Sequence, residues 1–419
     1  MSEAQTPTAG LPPHLAEAYD ILTSGVAQVL PETGLADKLL AADREGRPLR
    51  VKLGIDPSAD ELTLGNAVVL RKLRQFQDFG HVAVLIVGDF TAQVGDPTGR
   101  SLTRKLLTAE QTEANSRSYL EQLMRILDPE RVEVRRNSEW LAGLGMADVI
   151  RESAQLTVAQ LLERDDFAKR FRAGQPISLV EFMYPLLQGY DSVAIRSDIE
   201  IGGTDQTYNN LVGRDLQKAH GQPPQIVLTM PLLEGLDGVQ KMSKSLGNYV
   251  AITEPPEEQF GKLMSLPDPM IGRYAALAAA LRPGEIAELA AAAASGGADA
   301  NRAKRRMARA VVALYHGADA AAAAERRFDT VFRAREVPAD VPEHRLPAGD
   351  TPDAVVHLPA LLRAVGFAES TSRARRLIDE GAVRVDGEQL PRGTYDVARD
   401  RLLGRVLAAG RRRMVRIVG

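Results

Sequence analysis

Six consecutive apolar residues, Val82-Ala-Val-Leu-Ile-Val87, constrain the fold of this chain more than any other stretch. A strand with water on one face alternates polar and apolar side chains. An unbroken apolar run suits a parallel strand covered on both faces. Its neighbours agree. Val51-Lys-Leu-Gly-Ile55 reads as a strand entering a loop. A helix follows, with Val69, Leu73 and Phe76 on one face and Gly80 as its stop. Residues 132–134 predict a strand, 179–193 a helix and 198–201 a strand. A helix over 205–219 then stops near Gly221, and 225–228 predict a further strand. Strands alternating with helices make βαβ units and a parallel sheet, whose ligands sit at the C-terminal strand ends. The fold class expected is α/β, a Rossmann-like parallel sheet followed by helical and small α+β parts.

The second half of the chain is organised differently. Alanine-rich stretches at 275–294 and 303–324 carry periodic Leu, Met and Val, which favours packed helices over low complexity. Residues 335–352 contain four prolines and read as a linker. Beyond it, 358–419 predict helices around Leu361-Leu362 and 373–378, a strand at 383–385 and a turn at Asp386-Gly387. Charge is uneven too. From Asp353 to Gly419 there are 13 arginines, no lysine and 8 acidic residues, a local +5 in a chain of net charge −3. A basic tail on an acidic body suggests a polyanion-binding module. Arg373, Arg375 and Arg376, then Arg411, Arg412 and Arg413, form its two basic clusters, although charge runs are usually solvated faces.

Absences narrow the field. The chain has no cysteine, so disulfides and thiolate metal sites are excluded, in keeping with a reducing cytoplasm. Its 6 histidines are scattered and none shows metal-ligand spacing. No apolar run of about 18 residues predicts a membrane span. Residues 1–13 lack the order of a signal peptide and read as a loose terminus.

Five short motifs carry chemistry. Gly54-Ile-Asp-Pro-Ser58, continuing to Leu62-Thr-Leu-Gly-Asn66, lies between a strand and a helix whose free N–H groups suit phosphate. Taken alone it is an ordinary βα turn with Asn66 as N-cap. Gly88-Asp-Phe-Thr91 with Gly95-Asp96-Pro-Thr-Gly99-Arg100 offers carboxylates for an ammonium group, and is also a normal turn sequence. Tyr184, Gln188 and Asp191 share one helix face, where a phenol, an amide and a carboxylate are costly unless paired or bound to ligand. Gly202-Gly-Thr-Asp-Gln206 brings backbone close to a ligand and offers a carboxylate to a ribose. Lys241-Met-Ser-Lys-Ser245, between Gly238 and Gly247, places two mobile ammonium groups where both reach one polyanion.

In order, these motifs resemble the tyrosyl-tRNA synthetases, class I aminoacyl-tRNA synthetases of the bacterial type, and the likeness covers nearly the whole chain. The resemblance implies an N-terminal extension (1–35), a catalytic Rossmann-like domain (36–235) and a loop and connector (236–256). It further implies a helical anticodon-side domain (257–334), a linker (335–352) and a C-terminal RNA-binding domain (353–419), assembled as a homodimer. It implies that Asp191 accepts from the substrate phenol, with Lys52 and Glu200 nearby. Tyr184, Gln188, Asp96 and Thr91 surround the α-amino group. Asp205, Gln206 and Gly203 hold ribose and adenylate. Ser58, Thr63, Asn66, Gly54, Asp56 and Gly65 face ATP, together with Met242, Ser243 and Ser245. Arg100, Arg104, Lys241 and Lys244 neutralise departing pyrophosphate. The six C-terminal arginines bind tRNA.

Four positions depart from the family pattern: Thr63 and Asn66 replace two histidines, Lys52 replaces a tyrosine and Glu200 a glutamine. The reaction implied is tyrosine activation by ATP, with Mg²⁺ and no protein-ligand metal site, followed by transfer to tRNA in the cytoplasm. Positioning and charge stabilisation carry such catalysis, so a site without histidine is tolerable. The alternatives are a paralogue that binds RNA without charging it and, less suited to Asp191 and Tyr184, the tryptophanyl enzyme.

Overall fold

The computed structural model describes residues 11–56, 61–95, 119–330, 341–346, 355–410 and 413–419. The chain divides into two compact units, Met1–Glu254 with Ser265–Tyr315, and Pro255–Met264 with His316–Gly419.

The first unit is built on a sheet of β1 (Gln28–Leu30), β2 (Arg50–Ile55), β3 (Val82–Val87), β4 (Val132–Arg136), β5 (Ile199–Gly203) and β6 (Ile226–Met230). Their spatial order is β1-β6-β5-β2-β3-β4. All neighbours run parallel except β1, which pairs antiparallel to β6 at one edge. The apolar run Val82–Val87 is an interior strand, one in from the β4 edge, and is buried from Ala83 onward, as its sequence requires. Helix α1 (Leu64–Asp78) follows β2 and buries Leu70, Leu73 and Phe76, with Gly80 at φ 89° ending it. Helices α2 (Leu179–Ile195) and α3 (Thr207–Ala219) pack through Leu186, Val193, Val212 and Leu216. The chain reverses after β2, β3 and β5 at the same sheet edge, so Asp56, Gly88 and Asp205 emerge together.

The predicted helices beyond residue 270 are interrupted. The stretch 275–294 breaks after Ile271–Leu277, where Ala280 takes φ 49°, and resumes at Pro283–Ser295. Pro283 stands in the first turn of the second helix, where its missing N–H costs nothing and its fixed φ suits a helix start. The stretch 303–324 breaks at Gly317, φ 85°, between Gly297–His316 and Ala318–Asp329.

The second unit holds a five-stranded sheet and its own core of Leu358, Leu362, Ala374, Ile378, Leu407 and Ile417, among others. The stretch read as a linker contributes a strand, Glu343–Arg345, which pairs parallel with Arg413–Val418. Its Glu-His-Arg sequence carries no apolar signal, so pairing rather than pattern makes it a strand. Asp386 and Gly387 both have positive φ in the hairpin between Val383–Val385 and Glu388–Gln389.

Candidate active site

The edge where β2, β3 and β5 end opens into a cavity of about 700 Å³ lined by four of the five motifs and by Gly88 and Thr91 of the fifth. Asp56, one residue beyond β2, accepts hydrogen bonds from Thr91 Oγ1 (3.2 Å) and Tyr184 Oη (3.0 Å). Gly88 is required beside them. A Cβ there would lie 2.2 Å from Asp56 Oδ1 and 2.4 Å from Thr91 Oγ1.

Asp191 projects from α2 and is buried. Trp140 Nε1 donates to its Oδ1 (2.8 Å) and Asn137 Nδ2 to its Oδ2 (3.4 Å). Burial pushes this carboxyl up to about 7; the charge of Lys52 and the two donors pull against that rise. Asn137 is fixed in turn, accepting from Phe90 N (3.0 Å) and donating to Thr91 Oγ1 (3.0 Å). Tyr119 closes another part of the lining, its phenol held up at about 12 by burial and by the charge of Asp56.

Lys52 does not line the cavity. It lies under α2, fully buried, with Nζ on Gln188 O (2.8 Å), Ser192 Oγ (2.7 Å) and Glu200 Oε1 (3.0 Å). The parallel register sets Lys52 beside Glu200 on neighbouring strands, so both side chains leave the same sheet face. Glu200 also receives Gln188 Nε2 (3.2 Å) and Ser192 Oγ (3.1 Å). Asn209 Nδ2 holds Gln188 Oε1 (3.2 Å) and Gln206 Oε1 (3.1 Å). The polar face of α2 is therefore locked from below by a buried, hydrogen-bonded ion pair.

At the other end, Lys241 Nζ meets Asp205 Oδ2 at 3.0 Å, and both groups remain partly exposed. Met242 is the buried anchor of the lysine loop, its sulfur accepting from Gly65 N (3.3 Å) and its amide donating to Leu233 O (2.9 Å). Asn248 organises the loop: Oδ1 takes Ser243 N (2.8 Å) and Nδ2 reaches Asp237 Oδ2 (2.7 Å). Backbone bonds from Leu64 N to Val250 O and from Ile252 N to Leu62 O, both 2.9 Å, stitch the loop exit to the start of α1. There Thr63, not Asn66, is the N-cap. Asn66 stands at the third helical position and completes a capping box, accepting Thr63 N (3.1 Å) while Thr63 Oγ1 accepts Asn66 N (3.4 Å).

Gly54, Gly65, Asn66, Gly203, Gln206, Ser243, Lys244 and Ser245 line the same cavity, with Glu200 at its floor. Ser58, Asp96, Arg100, Arg104, Arg411 and Arg412 lie outside the described residues. In the second unit Arg373, Arg375 and Arg376 are exposed on the helix Thr371–Asp379, while the Arg413 guanidinium donates to Phe367 O. Sequence reasoning missed Asn137, Trp140 and Asn248. Asn137-Ser-Glu-Trp140 follows β4 directly, and Trp140 is the only tryptophan of the chain. The strand-end rule could have found that pair; nothing local marks Asn248.

Residues 44–333 match the family described as tRNA synthetases class I (W and Y), and residues 357–390 match the S4 domain. The chain is 50% identical over 376 residues to a tyrosine–tRNA ligase of Carboxydothermus hydrogenoformans, covering 90% of this chain and 92% of that one. It is 49% identical over 404 residues to the tyrosine–tRNA ligase of Moorella thermoacetica, covering 96% of each. The fold matches a tyrosyl-tRNA synthetase of Archaeoglobus fulgidus solved with L-tyrosine, at TM-score 0.60 and 22% identity over 73% of this chain and 99% of that chain. It also matches a truncated mitochondrial tyrosyl-tRNA synthetase of Coccidioides posadasii, at TM-score 0.61 and 22% identity over 76% and 93%. The chain belongs to the class I tRNA synthetases of the W and Y group, with an S4 domain near its C-terminus.

Proposed function

We propose that this chain joins tyrosine to its tRNA at the expense of ATP. One observation carries the reading: a buried carboxylate, Asp191, stands at the floor of a cleft whose rim holds the lysine loop. The relatives at about half identity support tyrosine over the tryptophan and non-charging alternatives. The substrate phenol donates to Asp191. Its ammonium group sits among Tyr184, Gln188 and Thr91, with Asp56 supplying negative charge and Asp96 contributing as the family pattern implies. Lys52 and Glu200 act from beneath, by fixing α2 and Gln188.

In the first step a carboxylate oxygen of tyrosine bonds to the ATP α-phosphorus and the α–β bridging oxygen leaves with pyrophosphate. No base is needed, because the nucleophile is already ionised. Asp205 and Gln206 hold the nucleoside. Asn66 faces the phosphates beside Ser58. Lys241, Lys244, Arg100 and Arg104 stabilise the charge that gathers on pyrophosphate. Mg²⁺ enters with the ATP phosphates. In the second step a tRNA ribose hydroxyl attacks the acyl carbon and AMP leaves. The exposed arginines of the S4-bearing unit hold the tRNA by its phosphates. Met146, Ile150, Val158, Phe171, Leu179 and Val180, all exposed apolar side chains between residues 146 and 180, supply the interface of a homodimer. The protein works in the cytoplasm.

Tyrosine-dependent exchange of label between pyrophosphate and ATP tests the first step, and charging of tRNA the second. A chain ending at residue 330 is expected to keep exchange and lose most charging. Loss of exchange in that truncated chain, if it is folded, would overturn the division of labour. Sedimentation as a monomer at micromolar concentration would remove the dimer.

A further inference from the structure

A second cavity, of about 610 Å³, shares no lining residue with the cleft. The N-terminal half of α1 serves the cleft, and its C-terminal half, from Arg71 to Phe79, forms one wall here. Opposite stand the helix Pro13–Thr23 and the break between Ile271–Leu277 and Pro283–Ser295. Lys72 fixes the first of these, donating to Ile21 O (3.1 Å) and Ser24 O (2.9 Å).

The lining carries four arginines, Arg71, Arg74, Arg125 and Arg282, against two carboxylates, Glu17 and Asp78. Asp78 is taken by Arg74 at 2.7 Å. Arg71 meets no carboxylate among the described residues. Its electrostatic partner is the Tyr315 hydroxyl, and burial depresses its proton affinity. Arg71 is partly buried, and a cation there is costly to keep when its partner is a neutral phenol and not a carboxylate. One further polar atom of this lining, Gln75 Oε1, is buried without a hydrogen-bond partner among the described residues, and such an atom is rare enough to need a reason. Ala280, in the left-handed region at φ 49°, also lines the space, a strained backbone position for a residue with a Cβ. The rest of the wall is apolar, including Phe79, Ile126 and Leu281.

We propose that this cavity is a second ligand site and that it takes a small organic phosphate with a flat apolar body. The phosphate replaces the missing counter-ion of Arg71, with Arg125 and Arg282 beside it. Tyr315 Oη donates to it, and Gln75 Oε1 accepts from a donor on the ligand. The apolar body rests on Phe79 and Ile126. A free small molecule fits better than a nucleic-acid backbone, because Arg71 and Gln75 Oε1 lie within the wall, although Arg125 and Arg282 at its mouth are exposed. The inference is independent of the reaction assigned to the cleft.

The test uses the full chain with 1-naphthyl phosphate as probe, followed by calorimetry and thermal unfolding. One equivalent is expected to bind and to raise Tm, with inorganic phosphate and 1-naphthol each at least about tenfold weaker. Lys241→Ala should leave this binding unchanged, whereas Arg71→Met should abolish it and Arg282→Ser weaken it severalfold. Arg71→Met should also raise the Tm of the ligand-free protein, since it removes a partly buried cation that has no carboxylate partner among the described residues, and should leave pyrophosphate exchange within about twofold. Loss of binding in Lys241→Ala would put the probe in the cleft and overturn the proposal. Retention of binding in both arginine variants, or equal affinity for inorganic phosphate, would overturn it as well. Displacement of the probe by tRNA would make the arginines a nucleic-acid contact instead.

Discussion

The two ends of the cleft are built to different standards. At the Asp191 end, each functional side chain is buried and held by at least two protein partners: Asp191 by Trp140 and Asn137, Gln188 by Glu200 and Asn209, Lys52 by Gln188 O, Ser192 and Glu200. At the loop end, the Lys241 side chain is 58% exposed and its carboxylate partner Asp205 is 26% exposed. Buried donors and acceptors in a low-dielectric setting discriminate sharply, because a wrong ligand leaves them unpaired. A partly exposed lysine on a glycine-flanked loop costs little to displace and can follow charge as it moves. On the proposed reaction, the contrast teaches that selection is built into the buried end of the fold, while the lysine proposed to meet pyrophosphate is held only by a partly exposed ion pair.

The largest effect expected from this contrast is at Asp191. Asp191→Ala leaves Trp140 Nε1 and Asn137 Nδ2 unpaired and strips a counter-charge from buried Lys52. Breaking a buried charged set costs about 4 kcal/mol, or roughly 10³-fold in kcat/KM for tyrosine. Phenylalanine should lose far less, so the ratio of the two substrates in pyrophosphate exchange is the measurement. Equal losses for both would mean that Asp191 supports the fold rather than the choice. Lys241→Ala comes next, at about 10²-fold in kcat, the cost of one donor aimed at developing charge. The KM for tyrosine should hardly move. A proportional rise in KM for ATP with unchanged kcat would make the loop a ground-state binding element and erase the contrast.

Acidity probes the buried end alone. The Asp191 carboxyl sits at about 7 because burial raises it, with the Lys52 charge and the bonds from Trp140 and Asn137 opposing, and the Glu200 charge adding to the rise. On the proposed reaction the ionised form is the stronger acceptor for the phenol O–H, so most of its function is present above about 7 and falls away as pH drops through that value. Between pH 8 and pH 6, kcat/KM for tyrosine should drop about tenfold. In Asp191→Asn this limb should vanish. Trp140→Phe removes one neutral donor, worth about 1 kcal/mol, so roughly fivefold in kcat/KM. It should also move the acid limb upward, since that donor stabilises the ionised form. A limb that stays in place would assign the titration to another group.

What could be read in the sequence followed what is local. Val82–Val87 announced a buried parallel strand, and the spacing of Tyr184, Gln188 and Asp191 announced a helix face; both are where the pattern put them. The edge strand Gln28–Leu30 is three residues long and is held by antiparallel bonds to β6, so no periodicity could mark it. Lys52 was legible as a strand residue, but its partner depends on the register of β2 on β5, a fact of pairing and not of spacing. Asn137 and Trp140 act on Asp191 from 54 and 51 residues away. Asn248 joins Asp237, Ser243 and the Lys241 carbonyl through side-chain bonds that no short motif encodes.

The smallest effect is at Thr63, and it tests the loop end from its fixed side. In the family pattern this position is a histidine facing phosphate; here the hydroxyl donates to Asn66 Oδ1 (2.9 Å) and its oxygen caps the helix. Both atoms of that hydroxyl are thus committed to the start of α1, which leaves Asn66 Nδ2 without a partner among the described residues and facing the cleft. Thr63→His should therefore act on stability before it acts on chemistry. Loss of the cap costs about 1 kcal/mol, enough to lower Tm by about one to two degrees in a unit of this size. Exchange at a temperature well below Tm should stay within about twofold of the parent. Asn66→Ala, which deletes the free amide, should then hurt kcat more than Thr63→His does. If Thr63→His instead lowers kcat tenfold with Tm unchanged, the hydroxyl is a phosphate donor and the fixed side of the loop end takes part in the chemistry. If it raises kcat with Tm unchanged, the phosphate site is under-supplied as it stands and an imidazole can be accommodated without the cap.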